Sequence, residues 1–212
     1  MVHSGHGRSL KCEHFFTCIP GNTSLHQTFM KIFFETDRLI LRELLPSDDE
    51  GMFVLDSDPD VHTYLGNKPV KTIEEVQTVI QSVRQQYIDH GIGRWAVIEK
   101  SSENFVGWTG LKLIKELTNN HMDFYDVGYR LIKKYWGKGY ATESAKASLQ
   151  YGFEQMKLNE IFGITHVDNV KSKRALEKCG LKFIETFERN GLPCNWFCIT
   201  KEEWKKQDDI ER

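Results

Sequence analysis

The sequence predicts a mixed α/β fold of the α+β kind, in which helices cover a central sheet. From residue 32 onward, strand-like and helix-like segments follow one another in the order β, α, α, β, β, β, α, β, α, β, β. The gaps between the three consecutive strands are short enough for antiparallel hairpins. Residues 32–206 contain no internal repeat and no linker, and 212 residues is an ordinary length for one domain. We therefore expect one domain built on one mixed sheet.

The first half of the chain predicts one strand and two helices. Residues 38–44 ("RLILREL") alternate so that one face of a strand would be buried more deeply than the other. The next segment opens with Pro46 and an acidic first turn, which is typical of a helix N-terminus. After a turn-rich stretch, Thr72 is the expected cap of a longer helix, with Glu75 at the capping-box position. This helix is expected to end at Gly91.

The second half of the chain predicts the rest of the sheet and two further helices. Three strand-like runs are "RWAVIEK" from Arg94, "NFVGWTGLKLI" from Asn104 and "DFYDVGYRLI" from Asp123. Apolar residues four apart between positions 141 and 156 indicate a helix. A strand ("EIFGITHV"), a short helix stopped by Gly180 and a terminal hairpin follow. The two strands of that hairpin are "LKFIETFER" and "NWFCITKEEW".

Composition and charge limit the partners that the chain is expected to have. A formal net charge of −2 and a pI near 6.5 give no bulk attraction to nucleic acid or to an anionic membrane. No stretch has the roughly 18 apolar residues needed to span a bilayer, and the N-terminus lacks the apolar region of a secretory signal. The cysteine count of five is odd, which suits free thiols. We expect a cytoplasmic protein with no nucleic-acid or membrane partner.

The first 29 residues differ from the rest of the chain. They are polar, lack a sustained period and hold four of the eight histidines. We interpret residues 1–29 as a disordered extension or leader, residues 30–207 as the domain and residues 208–212 as a tail. The leader contains four residues of metal-binding type, but their spacing matches no standard site, so we expect no metal. These residues are Cys12, His14, Cys18 and His26.

Two glycines lie between the third middle strand and the next helix, in "KKYWGKGYATES". Gly137 and Gly139 would let backbone N–H groups approach a ligand, and the following helix would direct its positive end to the same point. Lys133, Lys134 and Lys138 add local positive charge that suits phosphate. A glycine-rich turn that only reverses the chain would look similar. The stretch has neither the GxxxxGK[ST] run of a Walker A loop nor the third glycine of a Rossmann fingerprint.

The segment "DVGYRLIKKYWGKGYATES" resembles the acetyl-CoA-binding segment of the GNAT acetyltransferases. Lys134 stands at the first motif position, where the family usually has Gln or Arg. A later stretch, "NVKSKRALEKCGLKF", is similar to a second segment of the family. With "ETDRLILREL" and "ITKEEW", the resemblance covers residues 32–206. It is closest to the Rim-type branch, which includes ribosomal-protein N-terminal acetyltransferases.

The resemblance implies the GNAT fold, a mixed and mostly antiparallel sheet whose strands splay apart. The pantetheine arm of acetyl-CoA, the acetyl donor, is expected between the strand from Asp123 and the strand near Glu160. Its pyrophosphate is expected over residues 136–141, and no metal is implied. The resemblance assigns cofactor binding to Arg130, Leu131, Ile132, Lys134, Trp136, Gly137, Lys138, Gly139, Tyr140, Ala141, Thr142, Asn169 and Ser172.

Three residues are expected to be catalytic, Ser172 and Asn169 by the same resemblance and Asp126 by its place on the strand before "GYRL". Ser172 would donate a hydrogen bond to the departing thiolate, and the alternative is a solvent-facing helix serine. Asn169 would contact the pantetheine or order the site, a role compatible with capping a helix. Asp126 is the first candidate to receive the proton of the attacking amine, and the alternative is an exposed strand carboxylate. Many relatives carry a tyrosine as general acid where this chain has Leu176.

Three other residues are weaker catalytic candidates. Glu43 and Glu143 are further carboxylates that would receive a proton. Cys179 precedes a helix-ending glycine in an apolar pattern, so we expect it in the core rather than in covalent catalysis.

The expected acceptor is a protein N-terminal α-amine or a small amine. Deprotonating an α-amine of pKa ~8 costs about 1 kcal/mol at pH 7, whereas a lysine amine of pKa ~10.4 costs about 4.6 kcal/mol. The resemblance places His62, Tyr64 and Trp108 near the acceptor, although such residues more often serve in packing. A polyamine or antibiotic acetyltransferase and a non-catalytic acyl-CoA sensor are the alternatives. The oligomeric state is expected to be a monomer or a homodimer.

Overall fold

One eight-stranded sheet organises the chain, in the strand order β1-β2-β3-β4-β5-β6-β8-β7. The computed structural model describes residues 30–211, with side chains to residue 207. Residues 1–29, for which we expected a leader without a metal, and Arg212 of the expected tail lie outside the described residues. The strands are β1 (Ile32–Glu35), β2 (Leu39–Glu43), β3 (Trp95–Glu99), β4 (Phe105–Ile114), β5 (Phe124–Leu131), β6 (Glu160–His166), β7 (Lys182–Arg189) and β8 (Leu192–Thr200). The helices are α1 (Asp49–Asp56), α2 (Pro59–His62), α3 (Ile73–His90), α4 (Tyr140–Glu154), α5 (Val170–Lys178) and α6 (Lys201–Glu211).

The sheet is mixed, as predicted. β1 to β5 pair in sequence as an antiparallel meander, and β6, β8 and β7 form a second antiparallel group. The two groups meet where β5 and β6 run parallel. Asp126 and Phe162 are the one register pair that these two strands share within the described chain. The expected splay between these strands is therefore present.

The structure confirms the predicted strand β2 and helix α3 together with the local features that predicted them. Leu39 and Leu41 of β2 are fully buried, whereas the alternate residues are half-buried. The Thr72 hydroxyl accepts a hydrogen bond from the backbone N–H of Glu75. At the other end of α3, Gly91 adopts a left-handed conformation with φ of 69°, which ends helices because glycine carries no Cβ.

Three elements differ from the sequence prediction. β1 and the one-turn helix α2 were not predicted, since both are too short for a period to emerge. The extension of the last strand over "KEEW" was wrong, because a helix begins at Lys201. There, the Glu203 carboxylate accepts the Thr200 N–H at 3.0 Å, and the Thr200 hydroxyl accepts the Glu203 N–H at 3.3 Å. The sequence contains the Thr-x-x-Glu pattern of this capping box, which would have predicted the start of the helix.

The sheet has two covered faces around β5. On one face α4 packs against β3 and β4, with Trp95 against Tyr151 and the Thr109 hydroxyl 3.4 Å from that of Ser148. On the other face, α1 is joined to β5 through the Arg130–Asp56 ion pair. Within residues 30–211, no helix is long and apolar enough to cross a membrane, and no group of three His, Cys, Asp or Glu side chains is arranged to hold a metal.

Candidate active site

The gap between β5 and β6 opens beyond their single pair. The Ile132 N–H donates to the Val106 carbonyl at 2.9 Å, so this group points toward β4. In an antiparallel ladder, hydrogen-bonding direction alternates along the strand, which turns the backbone groups of Tyr129 and Leu131 toward the gap. Of the expected backbone contacts at 130–132, Leu131 alone is therefore directed at the gap, while Ile132 and Arg130 face β4.

A loop of residues 133–139 closes one end of the gap and leads into α4. Gly137 and Gly139 have φ of 78° and 84°, a left-handed conformation that side chains with a Cβ rarely adopt. A Cβ at Gly137 would meet nothing within 4 Å, so the backbone conformation requires glycine there. Gly139 is the N-cap of α4 and has no side chain that could accept a hydrogen bond from the first turn. The first N–H groups of α4 thus have no partner within the helix and suit an anion.

Arg38, just before β2, braces this loop. Its guanidinium donates to the Lys138 carbonyl at 3.0 Å and to the Glu143 carboxylate at 2.7 Å. The Thr36 hydroxyl donates to the same carboxylate at 2.6 Å. Burial acts to raise the pKa of Glu143, but these hydrogen bonds outweigh it and lower the pKa. Arg38 was not predicted as a site residue, and Glu143 is engaged in holding the loop.

The cationic and aromatic side chains of the loop lie close together. The Nζ atoms of Lys134 and Lys138 lie 4.9 and 5.0 Å from the ring centre of Tyr135. Lys133 is ion-paired with Asp60. The Trp136 indole N–H donates to the Leu131 carbonyl at 2.8 Å, which holds this ring at the open edge of β5. Local positive charge is therefore present where the sequence predicted it.

The first turn of α4 offers backbone rather than side chains. The Tyr140 hydroxyl donates to the Glu99 carboxylate at 2.5 Å, and the Tyr140 ring is buried. The Thr142 carbonyl accepts from the Cys179 thiol at 3.6 Å. Burial raises the pKa of Cys179 to about 12, so this thiol stays protonated in the core, as expected. Ala141 is half-buried between Tyr140 and Thr142.

Ser172 lies across the gap from β5, on the first turn of α5. The Tyr129 hydroxyl is 3.1 Å from Ser172 Oγ and 3.0 Å from the Ser172 carbonyl oxygen. Burial raises the pKa of Tyr129, so the phenol remains neutral. Asn169 Oδ1 accepts the Ser172 N–H at 3.1 Å, which makes Asn169 the helix cap. Leu176 is buried, and its methyl groups lie against Gly163. Tyr129 was missed because only the fold brings its hydroxyl to Ser172.

The opposite face of the sheet carries buried carboxylates paired with arginines. Asp126 is ion-paired with Arg94, whose guanidinium also donates to the Asp126 carbonyl at 2.8 Å. Arg130 donates to Asp56 Oδ1 at 2.6 Å. A third pair joins Arg42 to Asp48, at 2.7 Å from both Nη atoms. Asp126 is buried rather than an exposed strand carboxylate.

The three residues expected near an acceptor also lie on this face. Trp108 stacks beneath Arg94 and Arg130, 5.4 and 5.1 Å from the two guanidinium carbons. His62 is buried near Asp56, and the Tyr64 ring lies 5.6 Å from that of His166 at the end of β6. Glu43 is half-buried at the end of β2, where its backbone N–H donates to the Lys31 carbonyl.

Comparisons with known proteins agree with this geometry. Residues 38–182 match the family model described as the Acetyltransferase (GNAT) domain. The chain is 29% identical over 173 residues to "Uncharacterized N-acetyltransferase YoaA" of Bacillus subtilis, covering 79% of this chain and 96% of that protein. It is 30% identical over 181 residues to the FsC-acetyl coenzyme A-N(2)-transacetylase of Aspergillus fumigatus, covering 80% of this chain and 76% of that one.

Two solved structures share the fold. An acetyltransferase (GNAT family) from Bacillus anthracis superposes with a TM-score of 0.65 at 27% identity, covering 82% of this chain and 99% of that chain. The ribosomal alpha-N-protein acetyltransferase RimL, in complex with coenzyme A, gives a TM-score of 0.68 at 18% identity, covering 80% and 98%.

Proposed function

The chain belongs to the GNAT family of acetyltransferases, and from that premise we propose that it acetylates a protein N-terminal α-amine or a small monoamine. It is an acetyl-CoA-dependent N-acetyltransferase with the GNAT fold, and acetyl-CoA is its acetyl donor. The identity of the acceptor and the roles of individual residues are what we propose. The cytoplasm, where acetyl-CoA would meet such an acceptor, is the proposed location.

The choice of acceptor is supported by the charges on the sheet face opposite to Ser172, where the acceptor is expected to bind. Asp48, Asp56 and Asp126 are buried there, and each is ion-paired with an arginine. A polyamine carries several ammonium groups, and each would need an unpaired carboxylate or a comparable partner. The paired carboxylates therefore favour an acceptor with a single amine over a polyamine. An α-amine is also the easiest of the common amines to use in neutral form at pH 7.

The binding of acetyl-CoA is proposed at the gap and its loop. The α4 N-terminus and the glycines at 137 and 139 suit the pyrophosphate, with Lys134 and Lys138 as countercharges. The open edge of β5 at Leu131 suits the amide groups of pantetheine. Trp136, Arg130, Ile132 and the segment Tyr140–Thr142 would then shape the site rather than each donate to the ligand.

Ser172 is the proposed donor to the leaving group. The neutral amine attacks the thioester carbonyl carbon, the C–S bond breaks, and the electron pair leaves with sulfur. Because the Tyr129 hydroxyl can donate to Ser172, the Ser172 hydroxyl hydrogen is free to donate to the thiolate. Asn169 orders this turn as its cap. The sequence predicted Asp126 as the proton acceptor, but in the structure Arg94 engages its carboxylate.

An acceptor panel tests the proposed function. Purified protein is incubated with acetyl-CoA and peptides with free N-termini, small monoamines, spermidine or an aminoglycoside, and released thiol is measured. We expect turnover with α-amines or monoamines and at least tenfold lower kcat/KM with spermidine. Preference for spermidine or the aminoglycoside would favour the polyamine or antibiotic alternative. Tight acetyl-CoA binding without turnover on any acceptor would favour the sensor, which the buried Leu176 in place of a tyrosine makes worth testing.

A further inference from the structure

His62 is a buried imidazole beside the Asp56 carboxylate. Its side chain is 8% exposed, and neither ring nitrogen forms a regular hydrogen bond with another described residue. A neutral imidazole carries one N–H donor and one acceptor nitrogen. Burying both without hydrogen bonds costs free energy, so the position calls for an explanation. The unprotonated ring nitrogen of His62 has no role in the acetyl transfer proposed for Ser172 and the gap.

The position of His62 connects it to the gap. It ends α2, and its closest charged neighbour is Asp56 of α1, whose Oδ1 lies 3.7 Å from Nε2. Asp56 in turn holds Arg130 of β5. Two residues further on, Tyr64 lies beside His166 of β6. The segment 62–64 therefore adjoins α1, which is ion-paired with β5, and β6, on the face opposite to Ser172.

The charge state of His62 suits a proton acceptor. Burial is the largest cause that lowers its pKa below 6.5, and Arg130 lowers it further, while Asp56 acts to raise it. Asp56 from α1 and Arg130 from β5 are the charged groups that act on the ring. The imidazole is consequently neutral at pH 7, whereas the carboxylate of Asp126 is held by Arg94. Tyr64, two residues beyond His62, is 37% exposed in a turn after α2.

We propose that His62, rather than Asp126, accepts the proton that the acceptor amine loses during acetyl transfer. This inference rests on the proposed function. The amine nitrogen forms a bond to the thioester carbonyl carbon from the α2 side and becomes positively charged. His62 takes one proton from this nitrogen, the C–S bond breaks with its electron pair on sulfur, and coenzyme A takes up a proton as the free thiol. The imidazolium then returns its proton to water.

The pH dependence of wild-type kcat/KM is the first test. Two groups must be neutral for the reaction, the amine and His62, and the lowered pKa of His62 puts its protonation below pH 6.5. The logarithm of kcat/KM should fall with a slope of one while only the amine is protonated, and the slope should rise toward two once the pH drops below the lowered pKa of His62. A slope of one down to the lowest pH at which the enzyme stays folded would overturn the inference without any variant. Absence of turnover with every amine would overturn the proposed function, and this inference with it.

The second test compares His62→Gln with His90→Gln, the same change on the last residue of α3. His62→Gln should lower kcat/KM by about 100-fold at pH 7 and reduce the acid slope from two to one, with the Kd of acetyl-CoA within twofold of wild type. His90→Gln should change neither. A folded His62→Gln enzyme with wild-type rate and slope would overturn the inference, as would loss of the second slope in Asp126→Asn instead. If His62→Gln does not fold, His62→Asn is measured with the same criteria.

Discussion

The two edges of β5 differ in how far each is paired with its neighbouring strand. Along β4, β5 forms eight register pairs from Phe124 to Leu131. Along β6, it forms a single pair at Asp126 and then diverges. The same eight residues therefore provide a sealed edge on one side and unpaired backbone on the other.

This difference teaches how one strand serves both stability and function. Unpaired backbone groups are costly when buried without partners, so a long open edge is retained where a ligand can pair with it. Ser172 and Tyr129 meet across the gap on one face, and Tyr64 lies beside His166 of β6 on the other. The sealed edge fixes the position of β5 so that these groups meet at the open one.

The largest expected effect is at the loop that closes the open edge. Gly139→Asp should weaken acetyl-CoA binding by at least 100-fold, because aspartate would carry negative charge and a Cβ at φ of 84°. Isothermal titration with acetyl-CoA measures the Kd. Gly191→Asp is the matched control, since Gly191 has φ of 75° in the remote β7–β8 turn and nothing within 4 Å. Equal affinity in the Gly139 and Gly191 variants would remove the phosphate assignment.

Hydroxyl groups on the two edges should behave differently when removed. Ser172→Ala should lower kcat about tenfold or more with little change in the KM for acetyl-CoA, because the hydroxyl acts on the departing thiolate. Tyr129→Phe should have the same pattern with a smaller loss. Steady-state kinetics measures both.

Thr109→Val serves as the control at the sealed edge, where the hydroxyl lies 3.4 Å from the Gly128 carbonyl. It should reduce the free energy of unfolding by about 1 kcal/mol and leave kcat unchanged. A drop in kcat for Thr109→Val equal to that of Ser172→Ala would contradict the view that the paired edge serves stability and the open edge serves catalysis.

A smaller effect should follow from the brace between Arg38 and Glu143. Because hydrogen bonds lower the pKa of Glu143 in the folded protein, its contribution to stability is present above pH 4.5 and is lost as the pH falls further. Glu143→Gln should cost about 1 kcal/mol of stability at pH 7 and little at pH 3, as measured by denaturant unfolding. A constant difference between variant and wild type across that range would contradict the ionic role of this side chain.

The smallest effect is expected from deletion of residues 1–29, which precede β1 in the chain. The truncated protein should fold and retain kcat/KM within twofold of the full chain, because every residue that we assign to the proposed site comes after Met30 in the chain. Circular dichroism and the thiol-release assay measure both quantities. Failure of the truncated chain to fold would show that the domain starts before Met30.

Much of the fold followed from local patterns. The alternation of Leu39 and Leu41, the cap at Thr72 and the glycine at position 91 depend on neighbours within a few residues, so their elements were predictable. The capping box at Thr200 carried the same kind of signal and was overlooked. β1 and α2 could not be predicted, because four residues are too few to establish a period.

The candidate site was predictable only where its residues are adjacent in the chain. The loop 133–142 and the pair Asn169 and Ser172 each lie within one short segment, and the sequence pattern identified both. Arg38 reaches Lys138 from 100 residues away, and Tyr129 reaches Ser172 from 43 residues away. Contacts between residues so far apart in the chain leave no periodic pattern in the sequence.

By itself, the sequence determined the order of the main elements, the glycine loop before α4 and the resemblance that implied acetyl-CoA, because these depend on residue types at short spacing. The tertiary structure alone decided which side chains are engaged and which remain available. It paired Asp126 with Arg94 and Asp56 with Arg130, and it buried His62 with no regular hydrogen bond from either ring nitrogen to another described residue. Whether a carboxylate or an imidazole can accept a proton depends on the charges within a few ångströms of it, and chain folding sets those distances.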